Sequence, residues 1–314
     1  MGIPAVNLAD FLSGDPQLKQ KFVNNLGKAY EEVGFVAVTN HGIPEELIAD
    51  LYKYVQQFFA LPLDKKRSYE VAGLAGQRGY TSFGKEHAKG SDAPDLKEFY
   101  QHGQIVEDGD PIKAEYPDNV VIKEIPAFTP TLNKTYKAFE KSGKALLQAI
   151  ALYLGLDEGY FNPYVRNGNS ILRAIHYPPI LAEPKSAIRA EQHEDINLIT
   201  LLVGASAGGL QILTKQNEWV EAVSLSDQIV VNVGDMLQRL TNNKLKSTTH
   251  RVINPPRDLW HTSRFSIPFF LHPRSEMSLA CLESTVDKSH PKVYEDITAG
   301  EYLDERLREI GLKK

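Results

Sequence analysis

The chain has 314 residues, 42% of them hydrophobic and 24% charged, a balance that excludes disorder and fibrous repeats and allows a sizeable core. Its 35 Lys and Arg against 40 Asp and Glu leave a net charge of −5, which gives no electrostatic reason to bind nucleic acid or an anionic membrane and favours a small-molecule ligand. A single cysteine beside nine histidines means that any metal site must be built from nitrogen and oxygen ligands; Cys281 is expected as a buried small apolar residue.

In chain order, the start shows neither a basic leader nor an apolar segment, so a cytoplasmic location is expected. Leu18, Phe22, Leu26, Tyr30 and Val33 recur at helical spacing over 17–33, and Gly34 is placed to stop that helix in a left-handed conformation. A strand follows at 35–39, the one strand expected in a mostly helical region 1–166. Pro44 opens a second helix with Leu47, Ile48, Leu51, Val55, Phe58 and Phe59 as its stripe. Val71 to Gly90 is glycine-rich, lacks the Lys-Ser/Thr ending of a phosphate-binding loop, and reads as a loop and candidate lid. A third helix is expected from about 130 to 154, burying Leu132, Tyr136, Phe139, Leu146, Leu147 and Ile150. The apolar stretch 145–156 is too short to span a bilayer.

After Asn167 the period changes to short β-rich runs at 171–177, 198–203, 210–213, 219–223, 229–233, 248–253 and 264–271, separated by Pro, Gly and Asn turns. Such a series predicts a sandwich or barrel over 167–275 within one domain, 1–314, followed by a segment 276–314. That last segment ends in a helix over 299–312, a second candidate lid.

Chemistry concentrates in the strand-rich part. In Gln192-His193-Glu194-Asp195, extended backbone turns His193 and Asp195 to one side and Glu194 to the other. His250 follows 57 residues later, three or four strands on, where a rolled sheet can return it to the same point. Two imidazoles and a carboxylate are the ligand set of non-haem Fe(II) oxygenases, leaving positions open for a co-substrate and O2. Arg264 and Ser266 share a face of an apolar strand, and a buried guanidinium needs an anion, either a carboxylate ligand or one of the acidic side chains. By the same parity Pro268 and Phe270 face the cavity, making Phe270 the candidate substrate-packing residue, while His176 faces away. His41 reads as a turn element, and His87, His102, His261, His272 and His290 read as ordinary.

The order of these motifs, with Thr200-Leu-Leu202, Val231-Asn-Val-Gly-Asp-Met-Leu237 and Lys246-Ser-Thr-Thr-His250-Arg-Val252 between them, resembles the isopenicillin N synthase-like family of Fe(II)/2-oxoglutarate-dependent dioxygenases. The N-terminal half carries the same resemblance in Glu32-Val-Gly-Phe35, Thr39-Asn-His-Gly-Ile-Pro44, Phe58-Phe59, Gly79-Tyr80 and Lys97-Glu-Phe99. The resemblance implies a mainly β fold, a double-stranded β-helix or jelly roll flanked by helices. It implies Fe(II) on His193, Asp195 and His250, with Arg264 and Ser266, joined by Tyr177, on the distal carboxylate of 2-oxoglutarate. It further implies oxidation, foremost hydroxylation, of a small molecule, with O2 consumed and succinate and CO2 released. Where plant members commonly carry Asn-Tyr-Tyr-Pro, this chain has Ile175-His176-Tyr177-Pro178 and lacks the Asn. Three alternatives stay open: an oxidase of the isopenicillin N synthase type that dispenses with 2-oxoglutarate, a non-catalytic jelly-roll binding protein, and a zinc hydrolase using Glu194 as base. Neither the substrate nor the oligomeric state is legible in the sequence.

Overall fold

Helix-period and strand-period segments sort into separate layers. The structure, a computed structural model, describes residues 3–74, 76–86, 95–184, 186–223, 225–310 and 312–313. In chain order the elements are β1 (Ala5–Asn7), α1 (Leu8–Leu12), α2 (Pro16–Glu32), β2 (Phe35–Thr39), α3 (Glu45–Phe59), α4 (Leu63–Arg67), β3 (Gly79–Thr81) and β4 (Glu98–Gly103). There follow α5 (Phe128–Tyr153), α6 (Asn162–Val165), β5 (Ile171–Tyr177), β6 (Ala190–His193), β7 (Ile199–Val203), β8 (Leu210–Leu213) and β9 (Trp219–Glu221). The chain closes with β10 (Ile229–Val233), α7 (Asp235–Leu240), β11 (His250–Val252), β12 (Arg264–Leu271) and α8 (Ala299–Glu309).

Local chemistry sets the boundaries. The Asp15 carboxylate accepts from the backbone N–H groups of Gln17 and Leu18, capping α2, and Pro16 opens it. Gly34 ends it at φ +75°, its N–H bonded to Ala29 O, and a Cβ there would lie 2.4 Å from the Lys246 carbonyl. α5 buries the six expected residues, and Phe139 stacks on Phe269 of β12 at 5.4 Å while Tyr136 meets the same ring edge-on at 5.0 Å. Each such buried side chain contributes roughly 1.5–3 kcal/mol. α5 thereby backs the sheet that carries β12.

Eight strands form the larger sheet, in the order β1-β2-β10-β7-β12-β5-β4-β3, and four form the smaller, β6-β11-β8-β9. Among the described strands β1 and β2 pair parallel and the other ladders are antiparallel. This is the expected jelly roll with flanking helices. The expectation of a single strand before residue 167 is corrected: β1, β3 and β4 join β2 as members of the larger sheet. β4 escapes pattern reading because all six of its residues are buried and most are polar, so no period of two shows. Cys281 is half-buried, its Sγ 3.4 Å from Arg239 O, and not the fully buried apolar residue expected. Among the described residues no helix is long and apolar enough to cross a membrane.

Candidate active site

The two sheets enclose a cavity of about 580 Å³, and His193, Asp195, His250, Arg264, Ser266, Tyr177 and Phe270 all line it. His193 ends β6 and pairs directly with His250 at the start of β11, bringing the two rings to 4.4 Å between centroids. Asp195 lies beyond the end of β6, in the connection to β7, so extended parity is not what aims it. Its Oδ2 accepts from Thr200 Oγ1 at 2.6 Å and Asn232 Nδ2 at 2.8 Å, and its Oδ1 lies 3.8 Å from His250 Nε2. One ligand atom from each of the three residues lies within 4.8 Å of the others.

The donor set fits a divalent metal in detail. His193 Nδ1 is 2.6 Å from Glu191 O and His250 Nδ1 is 3.1 Å from Thr248 O, so each Nδ1 donates to a carbonyl and Nε2 is the ring atom left to face a metal. Burial, then the neighbouring His250, push His193 down to about 4, which keeps it neutral. Burial alone would raise Asp195, but the two imidazoles and the Asn232 and Thr200 hydrogen bonds outweigh it and hold the carboxyl below its usual range. Neutral imidazoles and an ionised carboxylate are the states a metal requires. Behind them, Asp235 N donates to Asp195 O at 2.7 Å, and a Cβ on Gly234 would sit 2.1 Å from Asn197 O, so the backbone packs too closely for a larger residue.

Some 1% of Arg264 is exposed, and among the described residues no acidic side chain pairs with it. Its Nε donates to Ala207 O and Gly208 O, both at 3.1 Å, and Nη1 is buried without a partner. Tyr177 stands directly opposite on β5, with the guanidinium carbon 5.0 Å from its ring centre. The hydroxyls of Tyr177 and Ser266 make no hydrogen bond to any described residue. The cavity thus ends in a cation and two hydroxyls with uncommitted hydrogen-bonding capacity, which fits a carboxylate; the alternative of an internal salt bridge to Arg264 is not what the structure contains.

Other expected roles resolve as follows. His176 points away from the cavity, its ring nitrogens 2.7 Å from Glu98 and 3.0 Å from Ser263, and it stacks on Phe265. His41 Nδ1 accepts from Ile43 N within its turn. His102 is buried against Asn133, His261 and His290 are exposed, and His87 lies outside the described residues. His272, read as ordinary, instead lines the cavity, one step beyond Phe270 by the parity that found Phe270. Glu194 accepts a hydrogen bond from Thr249. Reading by motif also missed an ionic cluster on the cavity wall: Lys97 Nζ lies 2.6 Å from Glu86 and 2.7 Å from Asp95, and Arg173 Nη1 lies 3.2 Å from Glu86. Of the candidate lids, α8 contributes Leu303, Arg306 and Leu307 to the lining, and the glycine-rich stretch contributes Gln77 and Glu86. Part of that stretch, residues 75 and 87–90, lies outside the described residues.

Comparisons with known proteins agree with this geometry. Residues 3–124 match the profile of the non-haem dioxygenase in morphine synthesis N-terminal region, and residues 168–273 match that of the 2OG-Fe(II) oxygenase superfamily. A proline hydroxylase from Petromyces alliaceus is 33% identical, covering 98% of this chain and 99% of its own. A 2OG-Fe(II) oxygenase family protein from Caulobacter crescentus superposes with a TM-score of 0.88 at 40% identity, over 98% of this chain and 99% of that one. A full-length Neurospora crassa protein crystallised with alpha-KG and thymine gives 0.85 at 31% identity, over 98% and 96%.

Proposed function

The chain belongs to the 2OG-Fe(II) oxygenase superfamily, and within that family we propose the roles of its own residues: His193, Asp195 and His250 hold Fe(II), and Arg264, Ser266 and Tyr177 hold the distal carboxylate of 2-oxoglutarate. The protein is a non-haem Fe(II)- and 2-oxoglutarate-dependent dioxygenase acting on a small molecule. Bound iron and co-substrate supply the oxidising power, with 2-oxoglutarate decarboxylated to succinate and CO2 and one oxygen atom of O2 delivered to substrate. Hydroxylation is the outcome we propose.

The observation that carries the residue assignment is the buried Arg264 with its unpartnered Nη1. A guanidinium withheld from water needs an anion, and a planar donor fork suits a carboxylate. A carboxylate on the substrate of an oxidase would match the same cation, so what favours a 2-oxoglutarate-dependent enzyme is the company of relatives named for 2-oxoglutarate or crystallised with it. Glu194, engaged by Thr249, offers little support to a hydrolytic base.

Each residue has a positioning task. Thr200 and Asn232 occupy Asp195 Oδ2 and leave Oδ1 as the single anionic ligand atom. Glu191 O and Thr248 O fix the imidazole orientations. Pro268 and Phe270 give the substrate an apolar wall, and Leu303 and Leu307 of α8 keep water from that side of the cavity. The relatives named for proline and thymine support a small-molecule substrate without selecting one.

The test is a screen for substrate-stimulated 2-oxoglutarate decarboxylation across amino acids and small phenolics. Succinate formed in step with oxidised product is expected; product formed without succinate would make the protein an oxidase of the other type.

A further inference from the structure

Alternate residues of β12 and of its partner β5 form a two-stranded cavity wall. From β12 and just past it come Arg264, Ser266, Pro268, Phe270 and His272; from β5 and just before it come Tyr177, Ile175, Arg173, Ile171 and Asn169. The register sets Arg264 against Tyr177, Ser266 against Ile175 and Phe270 against Ile171. Continued past the strands it sets His272 against Asn169, where His272 N donates to Ser170 Oγ at 3.1 Å and Asn169 N donates to Pro273 O at 3.2 Å. At ~3.3 Å per residue, the eight steps from Arg264 to His272 span roughly 26 Å along the strand. A five-carbon diacid anchored at Arg264 therefore leaves the His272 end of the wall free.

That end holds uncommitted but uncharged groups. His272 is 7% exposed, and neither its ring nitrogens nor the Asn169 amide has a hydrogen-bond partner among the described residues. The charges that act on the His272 ring are committed elsewhere: Asp195 belongs to the proposed iron site, and Arg173 has its own partners. Arg173 is paired to Glu86, donates from Nε to Gln101 at 2.9 Å, and lies over the Phe99 ring at 4.2 Å and near Phe270 at 5.2 Å. Lys97 is matched by Glu86 and Asp95. Across the cavity, on the side of the smaller sheet, Glu194 is engaged by Thr249.

We propose that His272 and Asn169 form the substrate-recognition end of the cavity and bind the neutral hydrogen-bonding group of a compact organic substrate, such as an amide, lactam or hydroxyl, in preference to a carboxylate or ammonium. This rests on the assignment of iron and 2-oxoglutarate above. A charged group brought to this end would be buried without a counter-charge, whereas a neutral donor-acceptor group finds an imidazole and an amide with free capacity. Burial pushes His272 down to about 4, consistent with a neutral ring that offers one donor and one acceptor. A site built this way rejects a ligand that leaves its polar groups unpaired.

The test uses the full-length protein loaded with Mn(II) and 2-oxoglutarate in the absence of O2. Calorimetric binding is measured for three matched pairs: uracil and orotate, benzamide and benzoate, 2-pyrrolidone and proline. At least one neutral member is expected to bind tenfold or more tightly than its charged partner. His272→Leu should weaken that probe at least tenfold while 2-oxoglutarate affinity stays within twofold, and His272→Gln, which keeps a neutral donor and acceptor, should retain most of the affinity. Tighter binding of the charged members, binding of no neutral member, or unchanged probe affinity in both His272→Leu and Asn169→Ala would overturn the proposal. Failure of the wild type to bind 2-oxoglutarate would instead sink the co-substrate assignment, and this inference with it.

Discussion

Replacing Arg264 by Met separates an arginine kept for a ligand from one kept for the fold, because the two roles predict opposite effects. Without 2-oxoglutarate the wild type carries a buried guanidinium whose Nη1 is unpartnered, a burden of about 1–3 kcal/mol. Methionine removes that burden and the two Nε hydrogen bonds to Ala207 and Gly208, which contribute about 1 kcal/mol each. The terms nearly cancel, so the melting temperature of the unliganded variant should stay within about 4 °C of wild type, at roughly 2 °C per kcal/mol for a chain of this size. With 2-oxoglutarate the balance changes. Stranding the distal carboxylate in a buried site costs about 3–5 kcal/mol, which at 1.4 kcal/mol per tenfold is roughly two to three and a half orders of magnitude in affinity. Calorimetric titration of 2-oxoglutarate into Mn(II)-loaded protein without O2, beside thermal melts with and without the ligand, reads both quantities. An affinity within about threefold of wild type, accompanied by a collapse of the unliganded melting temperature, would refute the reasoning and make Arg264 a structural group.

Three further outcomes follow from the geometry. Thr200→Val and Asn232→Ala should each weaken Fe(II) binding by about 10- to 100-fold in equilibrium dialysis, because each frees Asp195 Oδ2 from a donor. Gly34→Ala should lower stability by at least about 2 kcal/mol in denaturant melts, since it combines a left-handed backbone with a Cβ pressed on the Lys246 carbonyl. His102, away from the metal site, is pushed by burial from its usual 6.5 to about 4, the Asn133 hydrogen bond offsetting this only in part. The unfolded chain therefore binds the extra proton first, and stability should fall as pH drops from about 6.5 to about 4 with a slope of up to about 1.4 kcal/mol per unit from this group. His102→Gln should flatten that part of the stability curve, and an unchanged slope would contradict the assignment.

Legibility in the sequence followed burial pattern. β12 buries its even-numbered residues against the cavity within an otherwise apolar run, so a period of two placed Arg264, Ser266 and Phe270 correctly. The identical parity reaches Arg173 and His272, but neither sits in a motif that draws attention to it. β4 was invisible because its polar residues are buried in pairs, Glu98 with Lys66 and Gln101 with Arg173, which one strand's pattern cannot express. His193 and Asp195 converge as strand parity expects, yet for another reason: the strand stops at His193, and Thr200 and Asn232, from two other strands, aim the carboxylate. Such convergence depends on long-range packing, which local periodicity does not encode.

The most direct test of the account is the fate of ¹⁸O2. Incubated with Fe(II) and 2-oxoglutarate, the wild type should form succinate carrying one labelled oxygen, and Asp195→Ala should bind no iron and form none. Labelled succinate from Asp195→Ala at the wild-type rate would contradict the assignment of His193, Asp195 and His250 as the iron site.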